Sequence, residues 1–167
     1  MIITKGTTSD LDQIMTIVDE GKAWLKSQHV NQWQDGYPNR DTFINDIDLD
    51  RLYVIKENDE ALAVFAITDY EPTYDKIYEG SWLKDNDYIA VHRIAVSNKH
   101  KGKGIAAFMF NELKKKYKHI KVDTHEQNQN MNKCLLKNGI SYRGIIYLAP
   151  NAESDNKRVA YEYLAND

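Results

Sequence analysis

A single cysteine, Cys134, among 167 residues excludes an internal disulfide and fits a reducing compartment. Three prolines and eight glycines are too few for a low-complexity or collagen-like chain. No apolar run approaches the ~20 residues that a membrane span requires. The first residues, Met1–Lys5, read as a strand without the layout of a signal peptide. We therefore expect a soluble cytoplasmic protein with no membrane partner. Net positive charge is also lacking. At −3 near pH 7, the balance argues against a dedicated nucleic-acid binder.

What is present fits a globular domain. Hydrophobic residues make up 42% and charged residues 28%, inside the range of chains that fold around a core. By size, residues 1–167 are expected to form one domain. Charge is placed unevenly. Between Lys99 and Lys121 eight lysines face one carboxylate, Glu112, a local balance of +7 that leaves −10 elsewhere.

The pattern of residues predicts an α/β chain. Ile2–Thr4 read as a strand, and Thr8-Ser9-Asp10 as the N-cap of a helix whose apolar positions Leu11, Ile14, Val18 and Leu25 recur at helical spacing. A polar stretch follows, then a short helix over Asp41–Asp46. Leu52–Lys56 and Ala61–Thr68 form a hairpin around Asn58-Asp59. A long connection, Asp69–Asp87, mixes Tyr70, Tyr74, Tyr78 and Trp82 with acidic residues, and connections of that length are usually functional. Then come a strand at Tyr88–Val96, a helix from Ile105 to Lys116, a strand at Ile120–Thr124 and a helix over Asn128–Asn138 stopped by Gly139. Ile140–Leu148 and Arg158–Leu164 close the chain as a hairpin around Pro150–Asn156. The order β-α-α-β-β-β-α-β-α-β-β implies a mixed sheet.

The segment running from Ala90 to Ala106 carries the chemistry. A β-branched strand enters the basic turn Lys101-Gly102-Lys103-Gly104, which opens directly into a helix. Glycine turns expose backbone N–H groups, and a helix start adds unpaired donors at the positive end of its dipole. Together they can cradle a phosphate or diphosphate. A Walker A loop is excluded, because Ile105 and Ala106 stand where that loop needs Lys and Ser or Thr. A dinucleotide fingerprint is matched by Gly102, Gly104 and Ala107, with Asp123 as its acid. That fold, however, needs further βαβ units, and the chain ends in a hairpin about 60 residues later.

Lys101-Gly102-Lys103-Gly104-Ile105-Ala106 resembles the R/Q-x-x-G-x-G/A signature of the GCN5-related N-acetyltransferases, with lysine in place of the usual Arg or Gln. Ile94-Ala95-Val96 are similar to the strand end that pairs with the pantetheine arm in that family. Asn128, Met131 and Gly139 are similar to its following helix. The resemblance, which points to small bacterial members, covers nearly the whole chain. It implies a mostly antiparallel central sheet flanked by helices, and acetyl-CoA as co-substrate. It also implies cofactor contacts from Ile94, Ala95, Val96, Lys101, Gly102, Lys103, Gly104, Ile105, Ala106, Asn128 and Met131. No metal is expected.

Acetyl transfer from a thioester to an amine needs a donor for the developing oxyanion, a base for the amine and an acid for the thiolate. The resemblance places the donor near Ile94–Ala95, where the family's strand bulges. His92 alternates with Ile94 on one strand face. It matches a histidine of the arylalkylamine N-acetyltransferases, whose second histidine is Ala90 here. His92 is the expected base, with a hydrogen-bonded strand histidine as the alternative; His125 and Glu126 are further candidates. The family's acidic tyrosine is replaced by Leu135, and Cys134 beside it points about 100° away on a helix. Tyr142, Tyr147 or solvent are left for that role. Trp33 and Tyr37 are expected at the acceptor site, where ring faces and carboxylates suit a cationic amine. The expected function is N-acetylation of a primary amine on a small molecule by direct attack in a ternary complex, with a homodimer permitted. The rivals are a non-catalytic acyl-CoA-binding module, a dinucleotide enzyme, and a nucleic-acid-associated protein using the lysine island.

Overall fold

Ala61 to Ile67 is buried at every position, and a strand that is apolar throughout must be covered on both faces. The computed structural model, which describes residues 1–152 and 155–166, shows how. The elements are β1 (Ile2–Lys5), α1 (Leu11–Ser27), α2 (Arg40–Asp48), β2 (Leu52–Glu57), β3 (Glu60–Thr68), β4 (Ile89–Val96), α3 (Ile105–Lys116), β5 (His119–Thr124), α4 (Gln129–Lys137), β6 (Ser141–Tyr147) and β7 (Lys157–Leu164). They build a seven-stranded sheet in the order β1-β2-β3-β4-β5-β7-β6. Alternate residues of β2 and β3 feed two cores. Ile55, Ala63 and Phe65 join Ile105, Met109 and Phe110 of α3. Val54 and Val64 join Ile14, Val18 and Phe43 of α1 and α2.

Every strand pair is antiparallel except β4 with β5. The fold expected from the resemblance, a mostly antiparallel mixed sheet with flanking helices, is the one observed. Two local readings change. Asp10 stands at the N-cap position of α1 without a side-chain cap bond to it, and Thr8–Asp10 form a 3-10 turn in which the Asp10 carboxylate accepts the Thr7 N–H at 2.9 Å. Lys56 fixes that buried carboxylate at 2.7 Å. The short helix extends to Arg40–Asp48 because Asn39 caps it, accepting from the Thr42 N–H. In the expected Pro150–Asn156 turn, Glu153 and Ser154 lie outside the described residues. Its flanks do close, with Leu148 N–H donating to the Asn156 carbonyl at 2.8 Å.

The long connection is stitched to the far half of the sheet. Tyr78 bridges Ile145 through two 2.8 Å backbone bonds. Gly80 comes so close to β6 that a Cβ there would lie 1.9 Å from the Arg143 carbonyl oxygen. Tyr74, Trp82 and Tyr88 pack into an apolar cluster with Ala90, Ile146 and Ala160. Polar anchors add to this. The buried Glu162 carboxylate accepts the Leu83 N–H at 2.7 Å and the Lys84 N–H at 3.3 Å, and meets His119 Nε2 at 3.3 Å. His119 Nδ1 in turn donates to the Asn86 carbonyl. Lys121 donates to the Asp85 carbonyl at 3.1 Å and lies 4.2 Å over the rings of both Trp82 and Tyr88. Its pKa is lowered by burial, against the pull of Glu162 and Asp85. Truncating Glu162 to Ala strands two amides and His119 Nε2 and removes the charge that offsets Lys121. The expected cost is about 3–5 kcal/mol in denaturant unfolding, while Glu162→Gln, which can still accept from the amides, costs less.

Candidate active site

The site begins with a break in the sheet. β4 and β5 pair only at Ile89↔Ile120 and Ala90↔Lys121, then diverge. On its other side β4 pairs with β3 at Ala66↔His92 and Val64↔Ala95, so two β4 residues, Arg93 and Ile94, oppose Phe65 alone. This is a β-bulge. It falls one residue earlier than the Ile94–Ala95 position implied by resemblance, and it leaves Ile94 without a register partner on either neighbouring strand. Arg93 adopts φ +53, a left-handed conformation that costs a non-glycine residue roughly 1–2 kcal/mol. Its side chain secures it. Nε and Nη2 reach the two oxygens of the buried Asp46 carboxylate at 2.7 and 2.6 Å, and Nη1 donates to the Tyr37 hydroxyl at 2.9 Å. Asp46 belongs to α2, so that helix holds the bulge open.

Into the gap between β4 and β5 opens a cleft of about 910 Å³. One end is the glycine turn. Gly102 and Gly104 both have φ +78, and a Cβ at either would meet nothing within 4 Å, so the turn is concave and open. The Gly104 carbonyl accepts the Phe108 N–H at 3.0 Å, and the Lys103 N–H donates back to the His100 carbonyl at 3.3 Å. Among the described residues, the N–H groups of Gly102, Gly104, Ile105 and Ala106 have no protein acceptor and sit at the positive end of α3. Lys101 lines the cleft, but its ammonium rests 4.5 Å over the Trp24 ring. Burial lowers its pKa, opposed by Glu20. Lys103 is exposed and lies outside the cleft lining.

Along the cleft wall run Ile94, Ala95 and Val96, with Met131 and Asn128 opposite. The Asn128 amide is already engaged. It caps α4 by accepting the Met131 N–H at 3.2 Å and donates to Gln32 at 3.0 Å. Cys134 lines the same wall, its thiol pKa raised by burial, while Leu135 is fully enclosed in the core. Tyr142 and Tyr147 are both nearly half exposed and pack edge-on against Tyr161 and Tyr78, away from the cleft. They are not placed to protonate a leaving group there. His125 is also away from the lining, its Nε2 2.6 Å from Asp155 and its Nδ1 accepting from Gln127.

His92 lies at the other end of the cleft. Its Nε2 is 3.1 Å from the Thr68 hydroxyl and 3.7 Å from the Glu71 carboxylate. Burial pushes its pKa from the ordinary 6.5 down to about 3, with Arg93 and then Arg51 adding to the effect. The ring is therefore neutral across the physiological range. Trp33 and Tyr37 also line this cleft, although the Tyr37 hydroxyl serves the Arg93 clamp. Sequence reasoning did not single out Glu71, Thr68, Arg51 or the Arg93–Asp46 pair as site residues. They carry no motif, because a helix, a strand end and two connecting segments distant in sequence meet only in the folded chain. Asp123 was noted for a dinucleotide fold; here it lines the cleft and accepts from the Tyr74 hydroxyl at 2.6 Å.

Residues 18–140 match the profile described as the Acetyltransferase (GNAT) family. The chain belongs to that family. A GNAT acetyltransferase from Streptococcus agalactiae 2603 is 35% identical and superposes with a TM-score of 0.90, with 99% of this chain and 96% of that chain covered. A structure from Staphylococcus aureus Mu50, described provisionally as an acetyltransferase, is 26% identical with TM-score 0.69, covering 98% and 99%. A GNAT acetyltransferase from Listeria monocytogenes 4b F2365, at 17% identity, TM-score 0.68 and coverage of 98% and 94%, shares the fold. No curated protein gave a significant match.

For a GNAT acetyltransferase, the family's acetyl-CoA is the expected acyl donor, and the glycine turn fits its diphosphate: free amides, an open concavity and a helix N-terminus converge there. Two outcomes test the geometry. Asp46→Ala leaves Arg93 buried and unpaired, and should lower stability by about 3–5 kcal/mol in urea unfolding. His92 sets an acid limb. The unfolded chain takes up its proton near pH 6.5, and the folded ring only near pH 3. Stability from this group is therefore complete above pH 6.5 and falls on acidification through that window, by up to about 1.4 kcal/mol per pH unit. Thermal melts from pH 7 to about pH 4 should fall more steeply for the native protein than for His92→Gln.

Proposed function

We propose that this GNAT acetyltransferase moves the acetyl group of acetyl-CoA to the amine nitrogen of a small molecule by direct attack in a ternary complex. In the balanced reaction a C–N bond forms and the thioester C–S bond breaks. One amine proton goes to a base, and the departing thiolate takes one from solvent. The observation that carries the reading is the continuous cleft. It runs from unpaired amides at Gly102–Ala106, past the open edge of β4, to a neutral histidine beside a carboxylate.

In this scheme the turn amides hold the diphosphate. Ile94, Ala95 and Val96 flank the pantetheine arm, with Met131 across from them. The backbone N–H of Ile94, at the bulge, serves the thioester oxygen. His92 takes the amine proton, and Glu71 at 3.7 Å stabilises the imidazolium formed. A depressed pKa keeps the ring available as a free base but makes it a weak one, so the carboxylate is an integral part of this role. Trp33 borders the acceptor. Residues 1–167 act as one cytoplasmic catalytic domain with neither metal nor nucleic acid.

One observation favours a second reading, an acyl-CoA-binding module without turnover: Leu135 is buried where the family's acidic tyrosine stands, and Tyr142 and Tyr147 lie elsewhere. A combined binding and turnover experiment separates the two. Acetyl-CoA should raise the melting temperature of the native protein, and Gly104→Val should abolish the shift by filling the cradle and straining φ +78. An amine panel should then show CoA release. His92→Gln should lower kcat/KM by about 10²-fold or more without changing the acetyl-CoA thermal shift. Tight binding with no CoA release from any amine would establish the silent module.

A further inference from the structure

Five arginines are present, and four of them are committed. Arg40 pairs with Asp12, Arg93 with Asp46, Arg143 donates to the Ser81 carbonyl, and Arg158 to the carbonyls of Asp155 and Lys157. Arg51 differs. Its main chain is fixed on both sides, its N–H donating to the Asp46 carbonyl at 2.8 Å and its carbonyl accepting the Ile67 N–H at 2.9 Å. Arg51 lines the cleft and is half-buried, and its guanidinium makes no hydrogen bond or ion pair with any described residue. It lies close enough to His92 to lower the proton affinity of that ring.

The same end of the cleft holds Glu71, which forms no ion pair with Arg51 although both line the space. Two opposite charges that share a cleft and do not neutralise each other suit a ligand carrying both signs. An arginine keeps its charge at any accessible pH, and its planar fork matches a carboxylate with two parallel hydrogen bonds. An acceptor with an amine alone would leave that guanidinium without its partner in a cleft closed by ligand, at a desolvation cost.

We infer that the acceptor is an amino acid or a similar short aminocarboxylate, with Arg51 receiving its carboxylate while its amine sits between Glu71 and His92. This inference rests on the acetyl-transfer reading of the cleft and names the acceptor class within it. The carboxylate contact aligns the nitrogen toward β4, so Arg51 acts on acceptor binding and not on the acyl donor.

The test uses the full-length protein with acetyl-CoA and a panel matched in threes: proteinogenic amino acids, their carboxamides, and the amines left by removing the carboxylate. CoA release should be favoured for one or more free amino acids over their carboxamide and amine counterparts by about tenfold or more in kcat/KM, the scale of a lost charge-assisted contact. Arg51→Gln should raise KM for the amino acid about tenfold or more and leave its carboxamide unchanged. Arg51→Lys should recover part of the loss. The acetyl-CoA thermal shift should be the same in all three proteins, which also shows that the variants fold. Turnover of carboxylate-free amines in preference to amino acids would overturn the inference and leave acetyl transfer standing. So would an equal loss on both substrate types in Arg51→Gln. Acetyl-CoA binding with turnover of no panel member would sink the parent reading and this one together.

Discussion

A buried ion pair shapes everything downstream in this molecule. Without the two short bonds from Arg93 to Asp46, only the Tyr37 hydroxyl would hold an arginine in the left-handed region in the middle of a central strand. With them, β4 bulges, Ile94 escapes pairing, and β5 is free to veer away after two rungs. A buried pair of this kind is a weak source of net stability, because desolvation consumes much of the attraction. Its value here is geometric. It converts the position of α2 into the shape of a strand on which the cleft depends.

The two ends of that cleft are built by different physics. In the proposed reading the binding groups at the glycine turn are main-chain amides, so the side chains need only stay out of the way, which Gly102 and Gly104 do. At the histidine end the groups are side chains, drawn from the start of β2, the end of β3, the connection after it, and β4. The first end serves a ligand common to a whole family. The second can vary without disturbing the fold, which is how one scaffold accommodates many acceptors.

That division also explains what could be read from the residues alone. The glycine turn, the strand before it and the helix after it are contiguous, so the open turn with unpaired amides at Gly102–Ala106 could be expected from Ala90–Ala106 alone. β3 and α3 announced themselves by unbroken or periodic apolar runs. The bounds of α2 shifted by a residue or two and the start of α1 was preceded by a 3-10 turn, since Asn39 and Thr8–Asp10 obey local hydrogen bonding that composition describes only loosely. Lys101 illustrates a different limit: a basic residue in a phosphate-like turn turned out to sit on Trp24, a neighbour 77 positions away. Glu71, Thr68 and Arg51 had no spacing to betray them, because only the tertiary fold brings the end of β3, the connection after it and the residue before β2 to the same end of the cleft as His92.

The two-rung seam between β4 and β5 has a mechanical meaning. β1 to β4 form one half-sheet and β5, β7 and β6 the other, with only Ile89↔Ile120 and Ala90↔Lys121 joining them directly. The connection after β3 acts as a strap across that seam, leaving one half and fastening through Tyr78, Gly80 and the Leu83 amide onto the other. The strap thus ties the two halves together across the wedge that two rungs leave open. A ligand seated in the wedge would supply the rungs that the strands themselves lack, so occupancy and rigidity rise together.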